Sequence, residues 1–371
     1  MQTSIPVLLY HHINYDDDVL SIPPELFEEQ LKFLKAEGYE SITKEQLGEY
    51  LQNGKKSWKD KAILITFDDG YLDTWVYAYP LLKKYGFKAM AFIVTWTIEE
   101  DEYCGFNLED YWNGKIKKEN IPNCSSTYSI DNGYKIKTVR RLCWEEVREM
   151  ERSGIIDMQP HSKTHRKIYA SDKIIDFNHP KDKLSAWTMV KGDERFGTPD
   201  FERKPELAGR EFTADEELRN RLYQHVMDNG FISFFKKTNW KNELFKIVDE
   251  YKKEKGTDKI GEFESEEEQR RRIKAELEVA KGEVGYEVRK RCTAFSWPWG
   301  AYIPLSLEIA KEVGFQYLFT TKPGSNSPGD SPFEIKRFGV WKKDLDWFKS
   351  RVRLYSKKLL SKAYGAVYRK I

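Results

Sequence analysis

An α/β fold built on a parallel sheet, open or closed into a barrel, is what this sequence predicts. Three observations carry that prediction. Strand-like and helix-like runs alternate along the chain. One run, Ala62-Ile-Leu-Ile-Thr-Phe67, is continuously apolar, as a strand buried on both faces must be. Acidic and histidine motifs follow directly after such runs, where α/β sheets gather their chemistry. A length of 371 residues suits one large barrel or two ordinary domains.

The elements follow in order. Ile5–His11 is a short apolar opening strand; Phe27, Leu31 and Leu34 then recur at helical spacing up to Gly38. Thr43-Lys-Glu-Gln46 reads as a capping box opening a second helix. After the strand at Ala62–Phe67, a helix over Tyr77–Tyr85 stops at Gly86 and a strand runs over Ala89–Thr95. The rhythm returns with a helix at Trp144–Arg152 and strands at Ile155–Met158 and Cys292–Trp297. A helix at Ser306–Val313 and a strand at Gln316–Thr320 complete it. Two stretches interrupt it. Glu99–Lys137 is polar and reads as a long loop or small excursion. Ser171–Gly261 is too long for a connection and carries its own helix grammar. In it, Thr213-Ala-Asp-Glu216 reads as a capping box before the stripe Leu218, Leu222, Val226, and Leu244, Ile247, Val248 and Tyr251 form a second stripe. Glu262–Arg291 is the densest charge run, with Ile273, Leu277 and Ala280 on one face of a solvated exterior helix.

Charge balance narrows the function. With 62 basic against 60 acidic side chains, the near-zero net charge argues against a nucleic-acid partner. The start lacks a basic n-region and a signal-length apolar core, and no run approaches a membrane span. The four scattered cysteines lack metal-knot spacing and read as reduced thiols. The expectation is a cytoplasmic chain.

Three motifs carry chemistry. Thr66-Phe-Asp-Asp-Gly70 ends the buried strand with two adjacent carboxylates, an arrangement that calls for a cation or donors; helix capping is its bland alternative. His161-Ser-Lys-Thr-His165 sets two of only six histidines at metal-ligand spacing after another strand; packing is the alternative there. Two imidazoles and a carboxylate, with a second carboxylate to spare, match the layout of a hydrolytic metal centre. Phe295-Ser-Trp-Pro-Trp-Gly-Ala-Tyr302 offers Trp297, Trp299 and Tyr302 as flat faces for a sugar ring on a loop fixed by Pro298 and Gly300, or as core aromatics.

These three motifs, in this order, resemble those of the polysaccharide deacetylases (carbohydrate esterase family 4, the NodB homology domain). Pro6-Val-Leu-Leu-Tyr-His-His-Ile13 resembles the start of the branch acting on poly-β-1,6-N-acetylglucosamine, and Leu142–Met150 also fits. The resemblance implies a distorted (β/α) barrel over 1–170 and 262–341, interrupted by a mainly helical insertion at 171–261, with a basic tail at 342–371. It implies Asp68 as general base and Asp69, His161 and His165 as ligands of a divalent ion, Zn²⁺ first, with Co²⁺ or Ni²⁺ as alternatives. The implied reaction removes the N-acetyl group of an amino sugar in a glycan or glycoconjugate, with a backbone N–H near Trp299 receiving the oxyanion. His11, Trp297, Pro298, Trp299, Tyr302 and Arg337 are the expected substrate-side residues, Arg337 also as a cation for Asp68.

The chain departs from the family pattern twice. Ser296 stands where an arginine commonly orients the base, and no histidine follows His225 to act as the late general acid. A catalytically weak or inactive sugar-binding relative, and a metal amidohydrolase acting on a non-carbohydrate amide, are therefore the rival readings. The tail from Lys342 holds ten Lys/Arg against Asp344 and Asp346, interleaved with Leu359, Leu360 and Tyr364. Such a helix either lies on an anionic membrane surface or docks on the barrel.

Overall fold

In a computed structural model of the chain, described over residues 2–101, 103–131, 134–180, 184–185 and 195–368, seven short strands follow one another round a ring. They are β1 (Val7–Tyr10), β2 (Lys61–Asp69), β3 (Ala89–Ile93), β4 (Ile156–Pro160), β5 (Ala294–Ser296), β6 (Tyr317–Phe319) and β7 (Phe338–Gly339). A continuous parallel ladder joins β7-β1-β2-β3-β4, with Leu8 opposite Ile65 and Thr66 opposite Met90. A second parallel ladder joins β5 and β6. The short strand Tyr39–Ser41 pairs with the start of β2.

The two gaps in the ring are bridged differently. Between β4 and β5 there is no ladder; the buried Gln159 side chain accepts from the backbone N–H groups of Thr293 (3.2 Å) and Ala294 (3.0 Å). Between β6 and β7 a single parallel bridge joins Phe319 and Ile335, with Ile335 N–H donating to the Leu318 carbonyl at 2.9 Å. No continuous ladder closes the barrel-like ring; at the first gap side-chain hydrogen bonding satisfies backbone groups a regular ladder would have paired.

Alternation sorts the side chains. Ile63, Ile65 and Phe67 join the core between the sheet and its outer helices, whereas Leu64 joins Val7, Met90, Phe92, Ala294, Phe319 and Ile335 in the interior. That two-sided burial explains the uninterrupted apolar run of β2. The helix Pro24–Ala36 buries Phe27, Leu31 and Leu34, and Trp144–Arg152 buries Trp144, Val147 and Met150.

Residues 171–261 differ from the mainly helical insertion expected there. Its helices Glu216–Asp228 and Trp240–Lys255 form, but Lys167–Phe177 and Pro199–Pro205 also pair as a long antiparallel hairpin, and Phe212–Ala214 pairs with Gly261–Phe263. Thr213 lies in that second pair, and Asp215 caps the helix instead through its bond from Glu217 N–H. This segment has its own core around Phe177, Phe201, Leu218, Leu222 and Val248. Lysines and aspartates interrupt Lys167–Phe177, and its pairing is irregular, so no clean period of two marks it. The expected loop at 99–137 likewise contains the helix Leu108–Trp112 and the hairpin Thr127–Asp131 with Tyr134–Thr138.

The charged helix Glu266–Glu287 opens with the capping pair Ser265 and Glu268 and buries Ile273, Leu277, Ala280 and Val284. The tail is not one free element. Leu345–Tyr355 docks on the barrel through Phe348, Val352 and Tyr355, whereas Leu359 and Leu360 in the last helix are exposed. All four cysteines are unpaired thiols. No helix among the described residues is long and apolar enough to cross a membrane.

Candidate metal centre

The site grows from the C-terminal end of β2. Asp68 shares the inward face with Leu64 and Thr66, so its carboxylate enters the barrel, where it is 2% exposed. An ionised group there needs a partner, and the fully buried Arg337 supplies it. Arg337 Nη1 donates to Asp68 Oδ1 at 2.8 Å and Nη2 to Oδ2 at 2.7 Å, a bidentate pair. The remaining donors are also used: Nη1 to Thr66 Oγ1 (3.1 Å), Nη2 to Ser296 Oγ (2.7 Å) and Nε to the Thr320 carbonyl (2.9 Å). Ser296 Oγ in turn donates to Asp68 Oδ2 at 3.2 Å. Burial pushes the Asp68 carboxyl up, but Arg337, with His161, more than offsets this and holds it below the usual carboxylate value.

Arg337 was expected on the substrate side as well as beside Asp68. Its five donors are consumed by five protein acceptors, so none remains for a ligand. It orients the Asp68 carboxylate from within the core, and Ser296 joins the same network.

Asp69 leaves the strand alternation with φ +80° and turns beside the histidine motif. His161 and His165 sit on a turn after β4, with His165 and Ser162 also at positive φ (51° and 87°). Of the six non-glycine residues with positive φ among the described residues, four (Asp69, Ser162, His165, Trp299) belong to this site. Backbone strain of this kind persists only where surrounding structure enforces it.

The donor set fits a divalent cation. One ligand atom from each of Asp69, His161 and His165 lies within 4.8 Å of the others. His161 Nδ1–H donates to the Ser296 carbonyl at 2.8 Å, which leaves Nε2 as a lone pair facing Asp69 Oδ1 at 3.3 Å. His165 Nε2 is 3.5 Å from the same oxygen, and that buried oxygen accepts no hydrogen bond among the described residues. The three donor atoms converge on one point, the arrangement that a cation requires. Burial alone would depress His161, but Asp68 and Asp69 hold it above the ordinary histidine value, so the location favours positive charge. His165 is driven down to about 3, chiefly by burial, and is therefore neutral, as a ligand must be.

The expected substrate-side aromatics separate on burial. Trp297 is fully buried against Phe295 and stacked on Tyr302 (5.1 Å between centroids), and Pro298 is buried as well. Both belong to the core, correcting their expected place in the pocket; the apolar surroundings of β5 claim them. Tyr302 is half-buried. Trp299 alone in this motif is exposed, and its indole lies 4.0 Å from the His165 ring. Gly300 after it has φ +69°, and a Cβ there would lie 2.1 Å from Thr321 Oγ1, so only glycine turns this loop. His11 is half-buried at the end of β1, close enough to Asp68 and Asp69 to feel both charges. Burial lowers its pKa, and its Nδ1 has no hydrogen-bond partner among the described residues.

Some contributors were not singled out from sequence. Arg141 donates to the Asp69 carbonyl at 3.2 Å and lies over the Tyr71 ring, supporting the turn after β2. The position of Arg141 just before Leu142–Met150 was the sole hint. Thr66, below Asp68, donates to the Leu8 carbonyl at 2.6 Å and so stays fixed for Arg337.

Residues 55–191 match the family model described as polysaccharide deacetylase. Over 90 residues, 24% of this chain, the sequence is 42% identical to YxkH of Bacillus subtilis, whose name places it with the polysaccharide deacetylases; 32% of that protein is covered. It is 34% identical, again over 90 residues and 24% of this chain, to a poly-β-1,6-N-acetyl-D-glucosamine N-deacetylase of Staphylococcus aureus, covering 30% of that protein. The chain therefore spans about a third of the length of these curated relatives. The BpsB deacetylase domain of Bordetella bronchiseptica shares the fold, with a TM-score of 0.54 and 19% identity over 91% of this chain and 96% of that one.

Proposed function

From a chain that carries a polysaccharide deacetylase domain, matched over residues 55–191, we infer metal-dependent hydrolysis of the N-acetyl group of an amino sugar in a glycan or glycoconjugate, releasing acetate. The observation that carries this reading is the adjacency of two differently prepared carboxylates. Asp68 is braced by Arg337, and Asp69 converges with His161 and His165 on a cation position.

Asp69, His161 and His165 would hold the ion, Zn²⁺ in our reading. A divalent ion there supplies Lewis acidity toward a carbonyl oxygen and makes water more acidic. The protein's own part is proton handling and orientation. Asp68, kept ionised by Arg337, receives the proton of the attacking water and passes it to the amide nitrogen as the C–N bond breaks. Water and amide become acetate and a free amine, and the base is regenerated. A carboxyl held below its usual value releases a proton readily, which suits the second half of this cycle and replaces the late histidine absent from this chain. Trp299, exposed beside His165, offers an apolar face to a sugar ring, and His11 lies near Asp68 and Asp69.

The test is acetate release from N-acetylglucosamine oligomers and lipid-linked acetylated sugars after reconstitution with Zn²⁺ or Co²⁺. Release abolished in Asp68→Asn, with metal content retained, supports the reading. Sugar binding with metal bound but no acetate from any substrate would overturn it in favour of a binding protein. Hydrolysis confined to cyclic or peptide amides would move it to another amidohydrolase class.

A further inference from the structure

The two histidines are joined by three residues, Ser162, Lys163 and Thr164, in a turn with left-handed backbone at Ser162 and His165. Part of its support is local: Ser162 Oγ accepts His165 N–H at 2.9 Å, and Trp96 N–H donates to the Lys163 carbonyl at 3.1 Å. The rest comes from outside the barrel strands. Glu276, on the inner face of the charged helix Glu266–Glu287, accepts Thr164 N–H at 2.7 Å through Oε1. The same Oε1 lies 2.9 Å from Thr164 Oγ1, and Glu206 Oε2 lies 3.0 Å from that hydroxyl. Both carboxylates are almost wholly buried, at 7% and 4% exposure.

Buried carboxylates are retained only where partners hold them. Glu206 is anchored by Arg166 Nε at 2.7 Å, one residue past His165, and its N–H donates to the Arg166 carbonyl at 3.1 Å. Arg272 of the charged helix also donates to the Glu206 carbonyl, at 2.7 Å. Glu206 belongs to the inserted segment, directly after the hairpin strand Pro199–Pro205. A segment with its own core thus reaches the histidine turn from one side and the charged helix from the other.

We propose that Glu276 and Glu206 are positioning residues for the metal centre: by gripping Thr164 they fix the strained backbone that aims His165 at Asp69 and His161. This rests on the metal-centre reading above. Outer partners of metal ligands alter affinity without touching the ion, typically by about 10- to 100-fold. The inserted segment then has a role at the site, through Glu206, and the charged helix is more than an exterior cover.

Equilibrium Co²⁺ titration of the full chain, followed by visible absorption, tests this with Thr164→Val, Glu276→Ala and Glu276→Gln. Thr164→Val removes the shared hydroxyl at a half-buried position and keeps the backbone N–H; Glu276→Gln keeps an acceptor for it. The expected result is Co²⁺ affinity about 10- to 100-fold weaker in Glu276→Ala, with altered visible bands. Thr164→Val should be affected less, and Glu276→Gln should recover most of the loss. Folded Thr164→Val and Glu276→Ala that bind Co²⁺ as tightly as the wild type, with unchanged bands, would overturn the positioning role alone. If Glu276→Ala does not fold, unchanged Co²⁺ affinity and unchanged bands in Thr164→Val do the same. A wild type that binds no Co²⁺ would overturn the metal centre, and this proposal with it.

Discussion

At the scale of single residues, the site is decided by which buried charges have partners. Asp68 and Asp69 are chain neighbours with different partners: Asp68 is paired with a guanidinium, and Asp69 faces two imidazoles. Removing Arg337 while keeping Asp68 leaves a buried carboxylate uncompensated, which typically costs about 3–5 kcal/mol. Arg337→Met is therefore expected to lower the chemical-denaturation midpoint strongly. With the cation gone, burial is the term left acting on Asp68 and its pKa rises. The acid limb of the kcat/KM–pH profile should move to higher pH, and an unmoved limb would show that Arg337 does not set the state of the base. Arg337→Lys cannot reproduce the bidentate grip and should rescue little.

At the scale of elements, two side chains act as structural joints. Gln159 ties β4 to β5, so Gln159→Leu leaves the buried Ala294 N–H unpaired, at roughly 1–3 kcal/mol, and frees the half-buried Thr293 N–H as well. Thermal unfolding should show a clear loss, and a variant as stable as wild type would mean that the strands re-pair. Glu146 caps the helix Trp144–Arg152, accepting from Cys143 and Gly105 N–H, and its carboxyl is raised to about 7, mainly by burial. The folded state thus holds a proton that the unfolded chain releases near 4.5. The associated stability is present below about 4.5 and is lost as pH rises toward about 7. Urea unfolding between pH 4.5 and 8 checks this: the slope should be present in wild type and flattened in Glu146→Gln.

Elements also show what periodicity reads well. Helices with an apolar stripe, such as Pro24–Ala36 and Glu266–Glu287, are legible because one face must be buried. The hairpin Lys167–Phe177 with Pro199–Pro205 is not, because its pairing partner, not its own pattern, makes it a strand. Glu276 illustrates the same limit inside a helix. Its spacing from Ile273 and Ala280 puts it on the inner face, but nothing local names Thr164 as its partner.

At the scale of the molecule, a cation bound only by the folded state couples site and stability. At a free Zn²⁺ concentration of about 100 times Kd, the linkage is ~2.7 kcal/mol. Excess Zn²⁺ should raise the thermal midpoint, chelator should reverse the rise, and Asp69→Ala should show no response. An equal response in Asp69→Ala would place the ion elsewhere. The densest charge run settles on the helix Glu266–Glu287, and ten Lys/Arg lie in the tail from Lys342, around an apolar set of strands. Part of the tail, Leu345–Tyr355, is a docked helix of that barrel.

The sequence by itself determined the α/β class, the buried central strand and the two motifs, Asp68 with Asp69 and His161 with His165. These depend on neighbours a few residues apart on one strand end or one turn, and local spacing is written in the chain. Only the tertiary structure decided what surrounds them. Arg337 meets Asp68 across 269 residues, and Glu276 meets Thr164 across 112. Trp297 and Trp299, two residues apart, part into core and surface. Which buried charge finds which partner, and which aromatic faces water, depends on how the ring of strands closes, and no local pattern encodes that closure.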